Sequence, residues 1–247
     1  MLQANASPAQ VALPQRRPLR PLSSYSGSLA HRVYATLRDA ILTLSFAPGE
    51  ILRKPEICEA LGVSRSPVSE AVARLAGEHL VRVVPQAGTY VTRLSMTEIR
   101  EGAFLRQALE LAAVERVAET ITEDQLVLVR RNLRLQAAHV EDGDTQGFYE
   151  ADAQFHELIL GFTEFPRLAS LAETAWVHVN RARRLVLPTP GRVAATLAEH
   201  QAIFAALEAH DPAAARTATR THLGMLLSFL EPLAATRPDL FDPEGPR

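Results

Sequence analysis

Residues 49–92 constrain the fold of this chain more than any other stretch. Residues 54–61 have the spacing of a short helix with Ile57, Ala60 and Leu61 on its inner side, and Gly62 supplies the permissive backbone that a sharp turn needs. A second helix is predicted from Ser66, a good N-cap, with Pro67 at the first helical position, where the missing N–H costs nothing. Along it Val68, Ala71, Val72 and Leu75 recur at i, i+3, i+4 and i+7, which buries one face and leaves Arg65, Ser69, Glu70 and Arg74 outside. Upstream, residues 28–44 carry Val33, Leu37, Ile41 and Leu44 at helical spacing and stop before Pro48 and Gly49. Downstream, residues 81–84 and 89–92 are β-prone runs separated by Pro85, Gln86, Ala87 and Gly88, which predicts a small hairpin. Three helices followed by a hairpin outline a winged helix-turn-helix. In that arrangement one helix enters a DNA major groove and the hairpin tip reaches the backbone or minor groove.

Charge divides along the chain in the sense this outline requires. Residues 1–95 carry 11 Lys+Arg against 6 Asp+Glu, and residues 96–247 carry 15 against 22. A basic front half and an acidic back half fit a nucleic-acid module joined to one that does not touch nucleic acid. The single cysteine, Cys58, has no partner for an internal disulfide and falls among apolar neighbours, so it is expected to be a buried structural thiol in a reducing compartment. No apolar run approaches the roughly 18 residues of a membrane span, and Pro8, Pro14, Pro18 and Pro21 interrupt any signal core. A cytoplasmic chain with no membrane partner is expected. Residues 1–24 and 236–247 read as disordered tails, leaving 25–95 for the winged domain and 96–235 for a second domain.

After the wing, β signals vanish. Leucine, alanine and charged residues at helical spacing predict six helices, at about 97–119, 123–140, 145–162, 166–186, 192–209 and 212–231, and hence an all-α bundle. On the third of these, Asp152 and His156 lie four apart and share one helix face, a chelating pair. His200 and His222 stand on the fifth and sixth helices beside apolar residues that should face the core. If they converge, three imidazoles and a carboxylate make a site suited to Zn²⁺, with Ni²⁺ and Mn²⁺ as alternatives. Taken singly, a histidine of this kind is more often a surface or satisfied core residue than a ligand.

The run Glu56-Ile57-Cys58-Glu59-Ala60-Leu61-Gly62-Val63-Ser64-Arg65-Ser66-Pro67-Val68, followed by Leu80-Val81 and Gly88-Thr89-Tyr90-Val91, resembles the signature of the GntR-type bacterial transcription regulators. Two positions depart from it. Ser69 stands where the family commonly has a second arginine, and Pro55 replaces a polar residue early in the preceding helix. The resemblance therefore carries DNA contacts over to Arg65 and Gly88, with Arg53, Lys54, Ser64, Ser66, Ser69 and Arg74 as further candidates on the same surface. The back half resembles the FCD effector domain of the FadR subfamily: Asp152, Phe155, His156 and Ile159, then Glu199, His200 and Ile203, then His222, with Arg106 and Glu110 matching its first-helix pattern. Six helices after the wing resemble the shorter, VanR-like branch.

What the resemblance implies is a transcription regulator, not an enzyme. A homodimer would bind a palindromic double-stranded operator, and a small carboxylate effector, an organic or sugar acid, would ligate the metal and release a repressor from a catabolic operon. Arg106 would neutralise a second charge on the effector, with His178, Asn180 and Arg184 as further candidates for the same cavity. Replacing Arg106 is accordingly expected to weaken effector binding and to leave the metal in place. The competing reading is a metal-dependent hydrolytic enzyme built on the same Asp/His cluster, with Glu199 as its candidate general base.

Overall fold

A computed structural model describes residues 18–242 apart from 169–170 and 172–175. The described chain divides into two units, one of residues 18–96 together with 237–242, the other of residues 97–236.

In the first unit, α1 (Leu29–Leu42) begins at Ser28, whose hydroxyl accepts from the His31 backbone N–H at 3.2 Å, and buries Val33, Leu37 and Ile41. Helix α2 (Lys54–Leu61) ends at Gly62, whose φ of 64° is the left-handed conformation that makes the turn. Helix α3 (Arg65–Gly77) has Ser64 at its N-cap position, two residues before the expected Ser66, and the Ser64 side chain makes no capping hydrogen bond. Pro67 therefore sits at the third helical position, still within the first turn, where no intrahelical partner awaits its N–H. The predicted faces hold on α3, with Val68, Ala71, Val72 and Leu75 buried. They hold less well on α2, where Ile57 is buried but Ala60 is exposed and Cys58 only half-buried, because eight residues give that helix room to bury one large side chain.

The sheet has three strands in the order β1 (Ile51–Leu52), β3 (Gly88–Val91), β2 (Val81–Val84), all antiparallel, with Val84 opposite Gly88 and Ile51 opposite Tyr90. Strand β1 was not foreseen, since two residues are too few to show alternation. The hairpin loop is Pro85, Gln86 and Ala87, with Ala87 N–H donating to Val84 O at 3.1 Å and Gln86 at φ 61°. The second wing strand begins one residue earlier than expected, at Gly88. A β-carbon there would stand 3.2 Å from Ile51 Cδ1, and its φ is 135°.

Part of each expected tail is ordered among the described residues. Residues 22–24 form a 3-10 turn, and Arg20 pairs with Asp39. At the other end Leu94 pairs with Phe241, the Leu94 N–H donates to Leu240 O at 2.9 Å, and Leu240 and Phe241 are buried. Two large apolar side chains in the last dozen residues explain why this segment orders: their burial offsets the entropy of fixing the backbone.

The second unit is helical throughout its named elements: α4 (Met96–Thr120), α5 (Glu123–Glu141), α6 (Thr145–Phe162), α7 (Val177–Val186), α8 (Arg192–Glu208) and α9 (Pro212–Thr236). A reciprocal capping box between Thr122 and Gln125 starts α5, and the Asp144 side chain starts α6. The helix expected over 166–186 lies partly outside the described residues. What is described is helical at 166–168, at 171 and again from Val177, with Trp176 at the N-cap of α7. Helix α9 runs past its expected end at 231 and through Pro232, where burial of Leu230 and Leu233 outweighs the lost backbone hydrogen bond. The core gathers Val114, Val117, Val129, Phe155, Ile159, Ile203 and Leu207 from α4, α5, α6 and α8.

Candidate functional site

Helices α6, α8 and α9 each turn one histidine into the interior of this unit. His156, His200 and His222 are 2%, 0% and 7% exposed. The Nε2 atom of His222 stands 3.3 Å from that of His156 and 3.4 Å from that of His200. The opposite nitrogen of each ring is already engaged. His156 Nδ1 bonds Glu110 Oε2 at 2.6 Å, His200 Nδ1 bonds Gln136 Oε1 at 2.8 Å, and His222 Nδ1 bonds Glu199 Oε2 at 2.7 Å. An acceptor at every Nδ1 places the ring proton there and leaves a lone pair on every Nε2.

Burial, and then the neighbouring imidazoles, push the pKa of His200 and of His222 well below the ordinary value. Burial also lowers that of His156, against the opposing effect of Glu110. Three neutral imidazoles thus aim lone pairs at one point, an arrangement that repels itself unless a cation occupies the centre. Nitrogens at two corners of a tetrahedral zinc, with Zn–N near 2.0–2.1 Å, would lie about 3.3–3.4 Å apart. The observed separations agree, so the residues present fit a divalent metal of the zinc type.

Asp152, one turn before His156 on α6, is fully buried beside the cluster, with Oδ1 3.6 Å from His200 Nε2 and Arg183 as its ion-pair partner. The four residues singled out in the sequence lie together, with the three imidazoles forming the tight cluster and Asp152 at its edge.

A cavity opens against this cluster, lined by His222 and Asp152 and by Arg106, Arg183, Arg192 and Thr196. Arg106 donates from Nε to Glu110 Oε1 at 2.6 Å, while its Nη2 is buried without a hydrogen-bond partner. Burial alone would raise the Glu110 pKa, but Arg106 and His156 together hold it below the ordinary carboxylate range. The other three expected effector residues lie elsewhere. His178 faces Glu98 at 3.5 Å, and Asn180 Oδ1 accepts from Arg183. Arg184 donates to Gln146 and stacks 3.6 Å over the Tyr149 ring. On α7 the arginine that lines this cavity is Arg183; its neighbour Arg184 is turned about 100° around the helix.

Residues 29–91 match the gntR family of bacterial regulatory proteins, and residues 101–225 match the FCD domain. Over 213 residues the chain is 32% identical to the HTH-type transcriptional repressor RspR of Escherichia coli (strain K12), covering 86% of this chain and 93% of that protein. Over 209 residues it is 34% identical to an HTH-type transcriptional regulator in an unstable DNA locus of Streptomyces ambofaciens, covering 85% and 88%. The chain belongs to the GntR family. It carries the FCD domain that the sequence resemblance indicated. A GntR regulator from Rhodococcus sp. RHA1 shares its fold at a TM-score of 0.72 and 28% identity, over 83% of this chain and 99% of that one. Escherichia coli McbR/YncC shares it at the same TM-score, with 24% identity.

On α3, Arg65, Ser66 and Ser69 are exposed, as is Ser64 at its N-cap position. Arg74 is exposed too but is held within the unit: its guanidinium stacks 3.7 Å over Tyr34, and Nη1 lies 3.3 Å from His31 Nδ1. Arg53 pairs with Glu56 at 3.4 Å, and Lys54 is half-buried. Among the described residues no helix is long and apolar enough to cross a membrane.

Proposed function

We propose that this GntR/FCD regulator is a homodimer, and a repressor, that reads an inverted-repeat operator and is released by a small organic or sugar acid bound beside a divalent metal. The DNA-reading domain is 25–95 and the effector and dimerisation domain 96–235, and the protein acts in the cytoplasm. Arg65, flanked by Ser64, Ser66 and Ser69 and supported by the wing at Gly88, is the reader of base edges or phosphates. Arg53 and Lys54 stand on the same surface as phosphate contacts.

The observation that carries the effector half is the convergence of three Nε2 lone pairs on a cavity walled by buried arginines. His156, His200 and His222, with Asp152 at the edge, would hold Zn²⁺, or Ni²⁺ or Mn²⁺ in its place. When bound, the ion supplies a fixed positive charge that can ligate a carboxylate. Arg106 offers its unpartnered Nη2 to a second anionic group on the effector, and burial strengthens that contact by excluding water. The hydrolytic reading is the weaker one. Its candidate general base, Glu199, is committed to the Arg192 guanidinium at 2.8 and 2.5 Å and to His222 Nδ1.

The test pairs elemental analysis with operator titration. Protein purified without chelator should carry one equivalent of metal per chain, and His156→Ala and His222→Ala should each lose it. A panel of organic and sugar acids should include one that lowers operator affinity of the metal-loaded wild type. Full metal content in both histidine variants would overturn the metal site.

A further inference from the structure

Arg106, Glu110 and Arg192, all buried, and the half-buried Glu199 connect the cavity wall to the imidazole cluster by two parallel routes. In the first, Arg106 Nε donates to Glu110 Oε1 at 2.6 Å and His156 Nδ1–H donates to Glu110 Oε2 at 2.6 Å. In the second, Arg192 donates from both terminal nitrogens to the Glu199 carboxylate at 2.8 and 2.5 Å, and His222 Nδ1–H donates to Oε2 of that carboxylate at 2.7 Å. His200 is treated differently: its Nδ1 meets the neutral amide oxygen of Gln136, whose Nε2 in turn bonds Asn132.

A carboxylate on Nδ1–H raises the basicity of the imidazole and fixes its orientation, and an amide oxygen does so more weakly. In each route the carboxylate is paired with an arginine of the cavity wall, which supplies its counter-charge. We infer that Glu110 and Glu199 are positioning residues that set how tightly His156 and His222 hold a divalent cation, with Arg106 and Arg192 linking the effector cavity to the cation site through them. The inference rests on the metal reading above and adds two residues to it. An anion drawn to Arg106 shares the guanidinium with Glu110, so less of the carboxylate's charge is spent on arginine and more on His156. Cavity occupancy and cation affinity then strengthen one another, as binding linkage requires of any such shared group.

The experiment is a Zn²⁺ titration of the full-length protein in competition with a chromophoric chelator, run on wild type, Glu110→Gln, Glu199→Gln and the double variant, with melting curves of each apo protein. Glutamine keeps the side-chain volume and an oxygen for the Nδ1–H and removes only the charge. Each single substitution should weaken Zn²⁺ binding about ten- to a hundredfold. The double variant should lose about the product, because the two routes end on different imidazoles. A merely structural role would lower the apo melting temperature and leave the affinity of the folded protein unchanged. Affinities within about twofold of wild type in both single variants overturn the inference, and a loss in one alone overturns it for the other route. If a glutamine variant does not fold, the aspartate at the same position replaces it: the shorter side chain withdraws the carboxylate, weaker Zn²⁺ binding supports the inference, and wild-type affinity overturns it. Failure of the wild type to take up Zn²⁺ is a distinct result, and it sinks the metal reading itself.

Discussion

His200 is fixed from several directions by chemically different neighbours. Phe155 stacks on its ring with centroids 4.2 Å apart and planes 13° from parallel, Gln136 holds Nδ1, and His222 and Asp152 approach Nε2. Phe155 itself is fully buried in the main core of the second unit. Phe155→Ala should therefore cost about 3–5 kcal/mol of stability in chemical denaturation, and it should also broaden the metal-binding isotherm by freeing the ring it supports. Wild-type stability in the variant would show that the cavity collapses without cost. The contribution of sequence to this site follows the length scale of its contacts. Asp152 and His156 share a helix face by spacing alone, the apolar neighbours of His200 and His222 turn those residues toward the core, and the resemblance joins all four. Glu110, Gln136 and Glu199 reach their imidazoles across 46, 64 and 23 residues of chain, a pairing that no local pattern encodes. Glu199 shows the difficulty plainly, because it precedes His200 in sequence yet serves His222. Arg106 also takes on a second role. Read from sequence it belongs to the effector alone, but its hydrogen bond to Glu110 ties it to His156, so Arg106→Ala should now weaken metal binding as well as effector binding.

Among the elements, α1, α2 and α3 emerge within about two residues of their sequence prediction, since apolar spacing, Ser28 and Gly62 mark them locally. What the pattern missed depends on partners distant in the chain. Strand β1 exists only because β3 pairs with it. Residues 237–242 read as tail because their composition is polar and proline-flanked, yet Leu240 and Phe241 close the first unit against Leu94. The chain thus leaves that unit after Met96 and returns to it after Thr236, the last residue of the helix that carries His222. Leu240 is 2% exposed, so Leu240→Ala should destabilise the winged unit by about 2–5 kcal/mol, the usual range for emptying a leucine site. A thermal melt should show the winged unit's transition moving down while metal content stays at the wild-type level. An unmoved transition would mean that the segment contributes nothing to that core.

For the whole molecule, the charge asymmetry of the sequence, a net +5 over residues 1–95 and −7 over residues 96–247, changes sign near the boundary at Met96 between the two units. Each unit has its own core and its own chemistry, so each should be open to disabling without unfolding the other. Arg65→Ala removes an exposed side chain from α3 and should lower operator affinity by about 1–3 kcal/mol per half-site. Metal content and effector affinity should be untouched. Chelation is the mirror experiment: it takes away the ion to which the effector's carboxylate is proposed to bind, and it leaves α1, α2, α3 and the wing as they are. Apo protein should therefore bind operator with its basal affinity and ignore an effector that shifts the loaded protein. That shift is bounded by the effector's differential affinity for the two DNA-binding states, typically about 1–3 kcal/mol, or about 5- to 150-fold in operator affinity. Operator titrations with loaded and chelated protein, each with and without the effector, measure all four corners of this cycle. An effector response that survives chelation would place the carboxylate's partner among the arginines alone, and an operator affinity that collapses on chelation would make the metal a structural requirement of the whole chain.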